Sequence, residues 1–363
     1  MKPTLRRLIL TITICAAALP AQERARNVIL FLGDAGGIPT LSAASIYNYG
    51  APLKLFLQRM PHIGLSETSA SNAWVTDSAA GMTAIVTGVK TTNGTLSQSP
   101  KGEVLKTILE YAEEHGLSTG VVSNMNMADA TPAACYSHVD SRKKFGEIFS
   151  QVWQPRFGDG VDVVLGGGKT KIADSLKELK IEMEPQLRAK GWPVYATLGA
   201  IPATAKKAVA LFDGDDFKVD EATAKAIQIL GRNPKGYFLM VEWDLHPTKP
   251  EQALKTVAAL DRLIEATVTR LATKDTLVLF AADHSFDFRL RSGKPGTPLA
   301  LPAGAKESAA GGTYDAAVGG GHTGEEVLVA AQGPGAERVK GYMPNTALFK
   351  IMMAAWGWSA GGK

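Results

Sequence analysis

The sequence predicts an α/β fold of three layers, a sandwich in which helices cover both faces of a central, mostly parallel sheet. The first observation is a set of short, unbroken apolar runs at residues 27–32, 237–241 and 276–282. Runs of this length without polar alternation are typical of strands buried on both faces. The second observation is a segment of helical period, 253–271, between the last two runs. A helix between two buried strands predicts a right-handed crossover and therefore parallel pairing.

The composition is that of a folded chain with one large core. The chain has 363 residues, of which 45% are hydrophobic and 20% are charged. Its mean hydropathy is close to zero, which excludes a polytopic membrane protein, and its apolar content excludes a disordered chain. We therefore expect a single domain over residues 22–363, preceded by a separate N-terminal segment.

Residues 1–21 have the pattern of a secretory signal peptide. Three basic residues precede the apolar stretch 8–19, and small residues follow up to Ala21, where we expect cleavage. Retention of this segment as an N-terminal anchor is the alternative interpretation. The sequence thus predicts a periplasmic or secreted protein.

Cleavage would also change the charge balance of the chain. The formal net charge falls from +4 to +1, because the removed segment carries three positive charges and no negative ones. The remaining charge gives no indication of nucleic-acid-specific binding or of an anionic surface as partner. Of the two cysteines only Cys135 remains after cleavage, so we expect no internal disulfide.

The first half of the chain alternates strand and helix patterns. The first strand, 27–32, ends in Gly33 and Asp34, and helical period follows at 43–47. An amphipathic helix is predicted at 103–115, where apolar residues recur at helical spacing before a glycine. Strand patterns follow at 119–123 and again at 161–165, the second of these leading into three consecutive glycines.

Two later segments carry the weakest strand signal. Residues 169–220 are rich in Lys, Glu and Ala, and we expect them to form a peripheral insertion. Residues 291–321 are dense in Gly, Pro, Ala and Ser, which is typical of a long loop. A final apolar helix, at about 346–356, closes the predicted domain.

Ser78 lies at the start of another helical pattern. It follows Asp77 and precedes an apolar run with helical spacing, which places it near a helix N-terminus. Free backbone N–H groups and the positive end of the helix dipole favour a bound anion there. A helix that is simply capped by Asp77 or Ser78 produces the same pattern. These residues alone leave both interpretations open.

Acidic residues follow three of the predicted buried strands. These residues are Asp34, Glu242 and Asp283. In open α/β sheets the ligand site lies beyond the carboxyl ends of the strands, so the three carboxylates should converge. They would repel one another unless cations lie among them. The recurrence therefore predicts a metal site at this edge of the sheet.

Three of the six histidines add candidate ligands. His284 directly follows one of the strand-end acids, His246 lies two residues after Asp244, and His322 follows three glycines. Mixtures of Asp and His suit zinc, whereas carboxylates with a hydroxyl and water suit magnesium. Two-metal sites of this kind perform in-line displacement on phosphoesters.

Seven ordered motifs resemble those of the alkaline phosphatases, and they cover nearly the whole chain from residue 27 to the last helix. They are VILFLGD at 28–34, VTDSAA at 75–80 with TGVKTTNG at 87–94, DATPA at 129–133, SHVDSR at 137–142, FLMVE at 238–242, ADH at 282–284 and HTG at 322–324. The resemblance implies hydrolysis of small phosphate monoesters through a phosphoserine intermediate, with inorganic phosphate as product. It also implies two zinc ions and one magnesium ion, a crown-like insertion in reduced form, and an alkaline optimum, and it leaves a homodimer open.

The resemblance also implies roles for individual residues. Ser78 is similar to the nucleophile, and Arg142 is similar to the phosphate clamp, a role that suits a planar fork of donors. The implied metal ligands are Asp34, Asp283 and His284 for the zinc beside the serine, Asp34, Asp129, Thr131 and Glu242 for magnesium, and Asp244, His246 and His322 for the second zinc.

The chain departs from the family at the second zinc motif. Trp243 stands where a glycine is usual, and Asp244 and His246 are closer together than the corresponding pair. Alternate residues on an extended segment point the same way, so both side chains could reach one ion.

Three other interpretations of the function compete with an alkaline phosphatase. A sulfatase would need Pro and Arg after the nucleophile, a phosphodiesterase relative commonly has threonine in place of Ser78, and a non-catalytic metal- or phosphate-binding protein needs neither Ser78 nor Arg142.

Overall fold

The computed structural model describes residues 24–214, 217–271 and 273–359. The predicted signal peptide, 1–21, lies outside these ranges. The strands are β1 (Asn27–Asp34), β2 (His62–Ser66), β3 (Ser118–Asn126), β4 (Val163–Gly167), β5 (Ala208–Phe212), β6 (Tyr237–Asp244), β7 (Thr276–Ala281), β8 (Ser285–Leu290), β9 (Ala316–Thr323), β10 (Val327–Gln332) and β11 (Gly341–Met343). The α-helices are α1 (Ile38–Tyr49), α2 (Ser78–Thr87), α3 (Ile108–Glu114), α4 (Ala130–Ala133), α5 (Phe145–Ser150), α6 (Lys169–Glu178), α7 (Met183–Ala189), α8 (Val219–Leu230), α9 (Pro250–Leu271), α10 (Ala305–Ala309) and α11 (Ala347–Trp356).

Nine strands form one sheet in the order β11-β2-β10-β7-β1-β6-β3-β4-β5. The six strands from β7 to β5 are all parallel, with β1 between β7 and β6. Antiparallel β10 joins this block to β2 and β11. The prediction of a mostly parallel central sheet is therefore confirmed. Strands β8 and β9 form a separate antiparallel pair beyond the end of β7.

Both faces of the sheet are buried, which explains why its central strands read as unbroken apolar runs. Along β1, Leu30 and Leu32 face a core that also contains residues of α2, α3 and α11. The intervening Ile29 and Phe31 face a second core, to which α1, α8 and α9 contribute. Full burial of one such side chain contributes roughly 1.5–3 kcal/mol. The packing of two helical layers against one sheet gives the predicted three-layer sandwich.

Two predicted segments contain more regular structure than the composition indicated. The segment 169–220, predicted as a peripheral insertion, contributes β5, which pairs with β4 as the edge strand of the main sheet. Its five residues are too few to raise the apolar content of a Lys-rich segment. The loop predicted at 291–321 contains α10 and the first residues of β9, whose glycines extend the strand toward the site.

One helix begins later than predicted. The pattern at 103–115 predicts a single helix, yet α3 begins only after Thr107. The Thr107 hydroxyl accepts from the Glu110 backbone N–H, and the Glu110 carboxylate accepts from the Thr107 N–H. This capping box fixes the first turn there. Within the three described ranges, no helix combines the length and the apolar character that a membrane span requires.

Candidate active site and metal centre

The candidate site lies at the carboxyl ends of β1, β6 and β7. Asp34 is the last residue of β1 and pairs in register with Asp244 of β6, while Asp283 follows β7. Helix α2 lies against the Asp283 segment because Gly81 has no side chain. A Cβ at Gly81 would lie 2.7 Å from the Asp283 carbonyl oxygen. This close approach brings the first residue of α2, Ser78, to the strand-end acids.

Asp77, and not Ser78, caps α2. One Asp77 carboxylate oxygen accepts from the Ala80 backbone N–H at 3.0 Å. The Ser78 hydroxyl is buried and lies instead 3.2 Å from Nε2 of His284 and 3.4 Å from Oδ2 of Asp34. The hydroxyl is therefore not used by the helix and faces the acidic edge of the sheet.

Asp34, Asp283 and His284 form a buried group whose ligand atoms lie within 4.8 Å of one another. Oδ1 of Asp34 and Oδ2 of Asp283 are buried and meet no hydrogen-bond criterion among the described residues, although Nε2 of His284 lies 3.2 Å from the first and 3.6 Å from the second. Leaving a buried carboxylate oxygen unpaired is costly, so the arrangement fits a cation between these atoms. Oxygen and imidazole donors of this mixture fit zinc.

The electrostatics of this group reflect the same crowding of charge. Burial raises the pKa of Asp34, but the hydrogen bond and positive charge of His284 outweigh it and hold that pKa at about 2. Burial and the negative charge of Asp34 raise the pKa of Asp283 to about 6. Burial disfavours protonated His284, but the Asp283 and Asp34 carboxylates raise its pKa to about 9. The carboxylates of Asp34 and Asp283 therefore need a neighbouring positive charge if both are to remain ionised.

Three histidines form a second group, again with ligand atoms within 4.8 Å of one another: His246, His284 and His322. Each has an acceptor at Nδ1. These acceptors are the Asp244 carboxylate at 2.7 Å, the Ser285 carbonyl at 3.0 Å and the Thr76 carbonyl at 3.0 Å. If Nδ1–H is the donor in each ring, Nε2 is the ring atom left to bind a metal, which is the usual arrangement of metal-binding histidines. Nε2 of His246 lies 3.4 Å from Nε2 of His322.

Asp244 lies outside both groups. Its Oδ1 accepts from the backbone N–H of His246 at 2.9 Å as well as from the His246 ring. The structure thus brings His246 and His322 together, while the Asp244 carboxylate contacts the ring and the backbone N–H of His246. The sequence-based assignment of Asp244 as a direct ligand stays a prediction.

The residues predicted to bind magnesium surround Glu242. This side chain is buried and accepts from the Ser123 hydroxyl, and burial together with the negative charge of Asp34 raises its pKa well above the ordinary value. The Thr131 side chain lowers that pKa by hydrogen bonding. Ser123 was not among the predicted site residues, although it lies within β3 in register with Glu242. Knowledge of the strand order would have been needed to find it.

Arg142 is held between two carboxylates. Its Nη1 lies 3.2 Å from Oδ2 of Asp77, and its Nη2 lies 2.9 Å from Oδ1 of Asp129. Burial lowers the pKa of the guanidinium, but Asp129 and Asp77 raise it above its ordinary value. The backbone N–H of Arg142 also donates to the Gly94 carbonyl at 2.7 Å. The guanidinium is therefore fixed close to the N-terminus of α2, where it can bind an anion beside Ser78.

A candidate nucleophile, a guanidinium close to it and two groups of side chains that could hold metal ions thus share one edge of the sheet. The sequence profile of the alkaline phosphatases matches residues 25–188 and 212–310. The chain belongs to the alkaline phosphatase family. The resemblance seen in the seven motifs is thereby confirmed.

Curated alkaline phosphatases and related enzymes are about 30% identical to the chain. The human tissue-nonspecific isozyme is 30% identical over 334 residues, which cover 73% of this chain and 64% of the isozyme. The chain thus spans about two thirds of that relative's length. The alkaline phosphatase of Escherichia fergusonii is 30% identical over 92% of this chain and 86% of its own. Streptomycin-6-phosphate phosphatase of Streptomyces griseus is also 30% identical, over 96% and 95%.

Solved alkaline phosphatases share the fold. The enzyme of the Antarctic bacterium TAB5 has a TM-score of 0.78 at 24% identity, covering 94% of this chain and all of that one. A variant of the TAB5 enzyme contains Mg bound in its M3 site. The Thermus thermophilus enzyme has a TM-score of 0.78 at 21% identity, covering 97% of this chain and 96% of that one. At these identities the likeness is one of fold.

Proposed function

We propose that this protein hydrolyses phosphate monoesters through a phosphoserine intermediate on Ser78. The observation that carries the proposal is the Ser78 hydroxyl itself. It is buried at a helix N-terminus that Asp77 already caps, and it faces both Asp34 and His284. The Ser78 hydroxyl is not needed to cap the helix, and it lies at a helix N-terminus, which favours a bound anion. It is therefore suited to attack on phosphorus.

We propose further that two zinc ions and one magnesium ion complete the site. The proposed ligands are Asp34, Asp283 and His284 for one zinc, His246 and His322 for the other, and Asp34, Asp129, Thr131 and Glu242 for magnesium, with Asp244 beside the second zinc. Bound cations would neutralise the crowded carboxylates and supply Lewis acidity for the phosphoryl oxygens. The unpaired carboxylate oxygens and the three Nε2 atoms support this donor set.

The side chains of the chain itself would act in two displacements. In the first, Oγ of Ser78 gives up its proton and bonds to phosphorus, the bond from phosphorus to the alcohol oxygen breaks, and the departing oxygen takes up a proton to leave as the alcohol. In the second, water bonds to phosphorus and gives up a proton, the bond to Oγ breaks, Oγ takes up a proton to restore the hydroxyl, and inorganic phosphate leaves. In both, the Arg142 fork donates to two phosphoryl oxygens, and the N–H groups of the first turn of α2 bind the transferring group.

We also propose that the protein acts outside the cytoplasm on a broad range of small phosphate esters, with an alkaline optimum. The basic segment and apolar stretch within residues 1–21 support export. The relation to phosphatases of different substrates supports a phosphoryl site that tolerates many alcohols.

Replacement of the nucleophile tests the proposal. Ser78→Ala should lower the turnover of p-nitrophenyl phosphate by at least about a thousandfold, while metal content by elemental analysis stays unchanged. Ser150→Ala removes a hydroxyl of α5 that bonds only to a local carbonyl, and it serves as the matched control. Wild-type turnover in a metal-loaded Ser78→Ala protein would contradict the phosphoserine mechanism. A wild-type protein that binds zinc without turning over any phosphate ester would contradict the enzymatic function as a whole.

A further inference from the structure

His138 is a buried histidine that the proposed chemistry does not use. It lies in the SHVDSR motif, four residues before Arg142. Nδ1 of His138 lies 2.9 Å from the Ser97 carbonyl oxygen, and Nε2 lies 2.8 Å from Oε1 of Glu110. The His138 and Glu110 side chains are both buried, at 0% and 2% exposure. A buried polar group that loses its partner is costly, so each of these side chains depends on the other.

The two contacts determine where the hydrogens of the His138 ring lie. A carbonyl oxygen only accepts, so Nδ1 must donate to Ser97. Nε2 then either donates to the Glu110 carboxylate or accepts from a Glu110 carboxyl group, and in both states one proton lies between the two side chains. The separation of 2.8 Å is in the range of charge-assisted hydrogen bonds. His138 and Glu110 therefore form a buried pair that is linked by a proton.

Glu110 is a well-fixed partner because it belongs to the first turn of α3. Its second oxygen, Oε2, accepts from the Thr107 backbone N–H at 2.9 Å, and the Thr107 hydroxyl donates to the Cys135 carbonyl at 2.6 Å. The capping box thus holds the Glu110 carboxylate by one oxygen and leaves the other oxygen for His138. The His138 ring is thereby attached to a fixed point on α3.

The segments 94–97 and 138–142 run antiparallel beside each other, and we call them the arginine ladder. Leu96 and Val139 exchange both backbone hydrogen bonds, at 2.9 and 3.1 Å. Farther along, the backbone N–H of Arg142 donates to the carbonyl of the first residue of the opposite segment at 2.7 Å. One end of the ladder thus carries the guanidinium, and the other end carries the histidine.

Ser97, at the histidine end of the ladder, has a strained backbone. Its φ is +43°, in the left-handed region, and the residue is fully buried. Its carbonyl accepts from the Leu105 N–H at 2.9 Å as well as from His138, and its own N–H donates to the Thr83 hydroxyl at 3.0 Å. Such a conformation persists only where the surroundings hold it in place. Loss of the His138 contact should therefore let this end of the ladder relax.

The other end of the ladder sets the position of the guanidinium. The Gly94 N–H donates to Oδ2 of Asp77 at 2.9 Å, and the same oxygen lies 3.2 Å from Nη1 of Arg142. A shift of the ladder would therefore move the Arg142 fork and the carboxylate beside it relative to α2. Displacements of about 1 Å in groups that bind a reacting species have large effects on its binding and turnover.

We propose that His138 is a positioning residue, which anchors the arginine ladder to Glu110 and so holds the Arg142 fork in the geometry that binds phosphate. This inference rests on the proposed phosphomonoesterase function, in which Arg142 binds the phosphoryl group. Within the described ranges, no hydrogen bond or ion pair joins His138 or Glu110 to Ser78 or Arg142. An effect of the pair on phosphate must therefore pass through the ladder.

Calorimetric titration of the metal-loaded protein with inorganic phosphate tests the anchor without requiring turnover. His138→Asn keeps a donor for the Ser97 carbonyl but does not reach Glu110, and Glu110→Ala removes the partner while leaving the ring in place. Each should weaken phosphate binding by about tenfold and lower kcat/KM for p-nitrophenyl phosphate in parallel. Glu110→Ala keeps the test available if His138→Asn does not fold.

A conservative variant and a matched control separate the anchor from general damage to α3. The amide of Glu110→Gln can donate to Nε2 of a neutral ring and still accept from the Thr107 N–H, so phosphate affinity should stay within about twofold of the wild type. His115→Ala removes another histidine, exposed at the end of the same helix, whose Nδ1 contacts only the Tyr111 carbonyl. It should leave phosphate affinity unchanged.

A double-mutant cycle shows whether the effect passes through Arg142. In an Arg142→Ala protein, His138→Asn should weaken phosphate binding by less than about twofold, because the group that it positions is gone. A further loss of about tenfold in that protein would mean that His138 acts by loosening the site in general, and it would overturn the inference. Thermal unfolding confirms that each variant is folded at the temperature of the titration.

Other results bear separately on the anchor and on the proposed function. Wild-type phosphate affinity in folded His138→Asn and Glu110→Ala proteins would overturn the anchor and leave the function intact. An equal loss in Glu110→Gln and Glu110→Ala would also contradict the anchor. A protein that shows the expected pattern of phosphate binding but hydrolyses no ester would support the anchor and contradict the function. Absence of phosphate binding by the metal-loaded wild type would remove both.

Discussion

The two ends of the parallel strands both hold buried carboxylates, but in opposite states. At the amino end, around β3 and β4, Glu113 accepts from the Thr119 hydroxyl at 3.0 Å and from the Gly160 N–H at 3.2 Å. Asp162, beside it, accepts from the Thr119 N–H at 3.0 Å. At the carboxyl end, Asp34 and Asp283 each keep one buried oxygen that meets no hydrogen-bond criterion within the described parts of the chain and lies beside Nε2 of His284, at 3.2 and 3.6 Å.

The difference shows that a cluster of acidic side chains does not by itself indicate a metal site. The amino-end pair lines a cavity of about 620 Å³ and lies close to Asp159, yet its oxygens are used by the protein. Burial, joined by the charges of Asp159 and Asp162, raises the pKa of Glu113 to about 8, so this carboxyl group is neutral at pH 7. Protonation relieves the crowding of negative charge at the amino end, whereas at the carboxyl end we propose that bound cations relieve it.

The largest contrast is expected in turnover. Asp283→Asn removes one unpaired oxygen of the carboxyl-end group and should lower kcat/KM for p-nitrophenyl phosphate by about a thousandfold. Glu113→Gln preserves the neutral state of the amino-end group and should leave kcat/KM unchanged at pH 7. Steady-state kinetics on both variants tests the comparison. A Glu113→Gln enzyme as impaired as Asp283→Asn would mean that the two ends do not differ in role.

Metal binding should raise the free energy of unfolding through the carboxyl-end carboxylates only. Zinc at about a thousand times its dissociation constant stabilises a folded protein by about 4 kcal/mol. Thermal unfolding of the wild type with and without chelator should show this difference. We expect Asp283→Asn to lose most of it and Asp162→Asn to retain it. Retention of the full zinc effect in Asp283→Asn would place the metal elsewhere.

The histidine group permits a finer test of Asp244. His246→Ala should reduce zinc stoichiometry by elemental analysis. Asp244→Asn keeps an oxygen that can accept from Nδ1–H of His246, so it should weaken zinc binding by about tenfold, against about a hundredfold for Asp244→Ala. Titration with zinc against a competing chelator measures both affinities. Equal losses in the two Asp244 variants would indicate direct ligation by the carboxylate.

The smallest expected effect is the change that pH causes in the free energy of unfolding through Glu113, at the amino end of the strands. The folded-state pKa of Glu113 is raised to about 8, so the native state retains a proton that the unfolded chain loses near its ordinary pKa. The free energy of unfolding should therefore fall as pH rises between these values, by about 2 kcal/mol from pH 6 to pH 8. Glu113→Gln should abolish this part of the decline. Urea unfolding at three pH values measures it, and parallel slopes for both proteins would contradict the assignment.

The parts predicted best from sequence are those in which local pattern and tertiary environment agree. Strands β1, β6 and β7 are buried on both faces, so their apolar runs are unbroken and the acids at their ends stand out. That regularity is sufficient to predict from the sequence that Asp34, Glu242 and Asp283 lie at one edge of the sheet. Strand β5 was missed because it is an edge strand of five residues within a polar segment.

The site residues that escaped prediction depend on pairings across the sheet. Ser123 is one of many serines in the sequence, and only its register opposite Glu242 shows its contact. The sequence indicates Asp77 as a candidate helix cap, but it does not predict that the second carboxylate oxygen of Asp77 contacts Arg142, 65 residues later in the chain. The spacing of Asp244 and His246 predicts that both reach one ion, but not that the carboxylate hydrogen-bonds the ring.

The position of Arg142 between Asp77 and Asp129 has a consequence for the end of the catalytic cycle. A guanidinium without anionic neighbours would hold a phosphate dianion tightly, and product would then accumulate on the enzyme. Here two carboxylates already compete for the same N–H groups, at 3.2 and 2.9 Å. If Arg142 binds phosphate as proposed, these carboxylates would replace departing phosphate without having to diffuse to the site. The ion pairs would then favour rapid product release, at the cost of some affinity for phosphate.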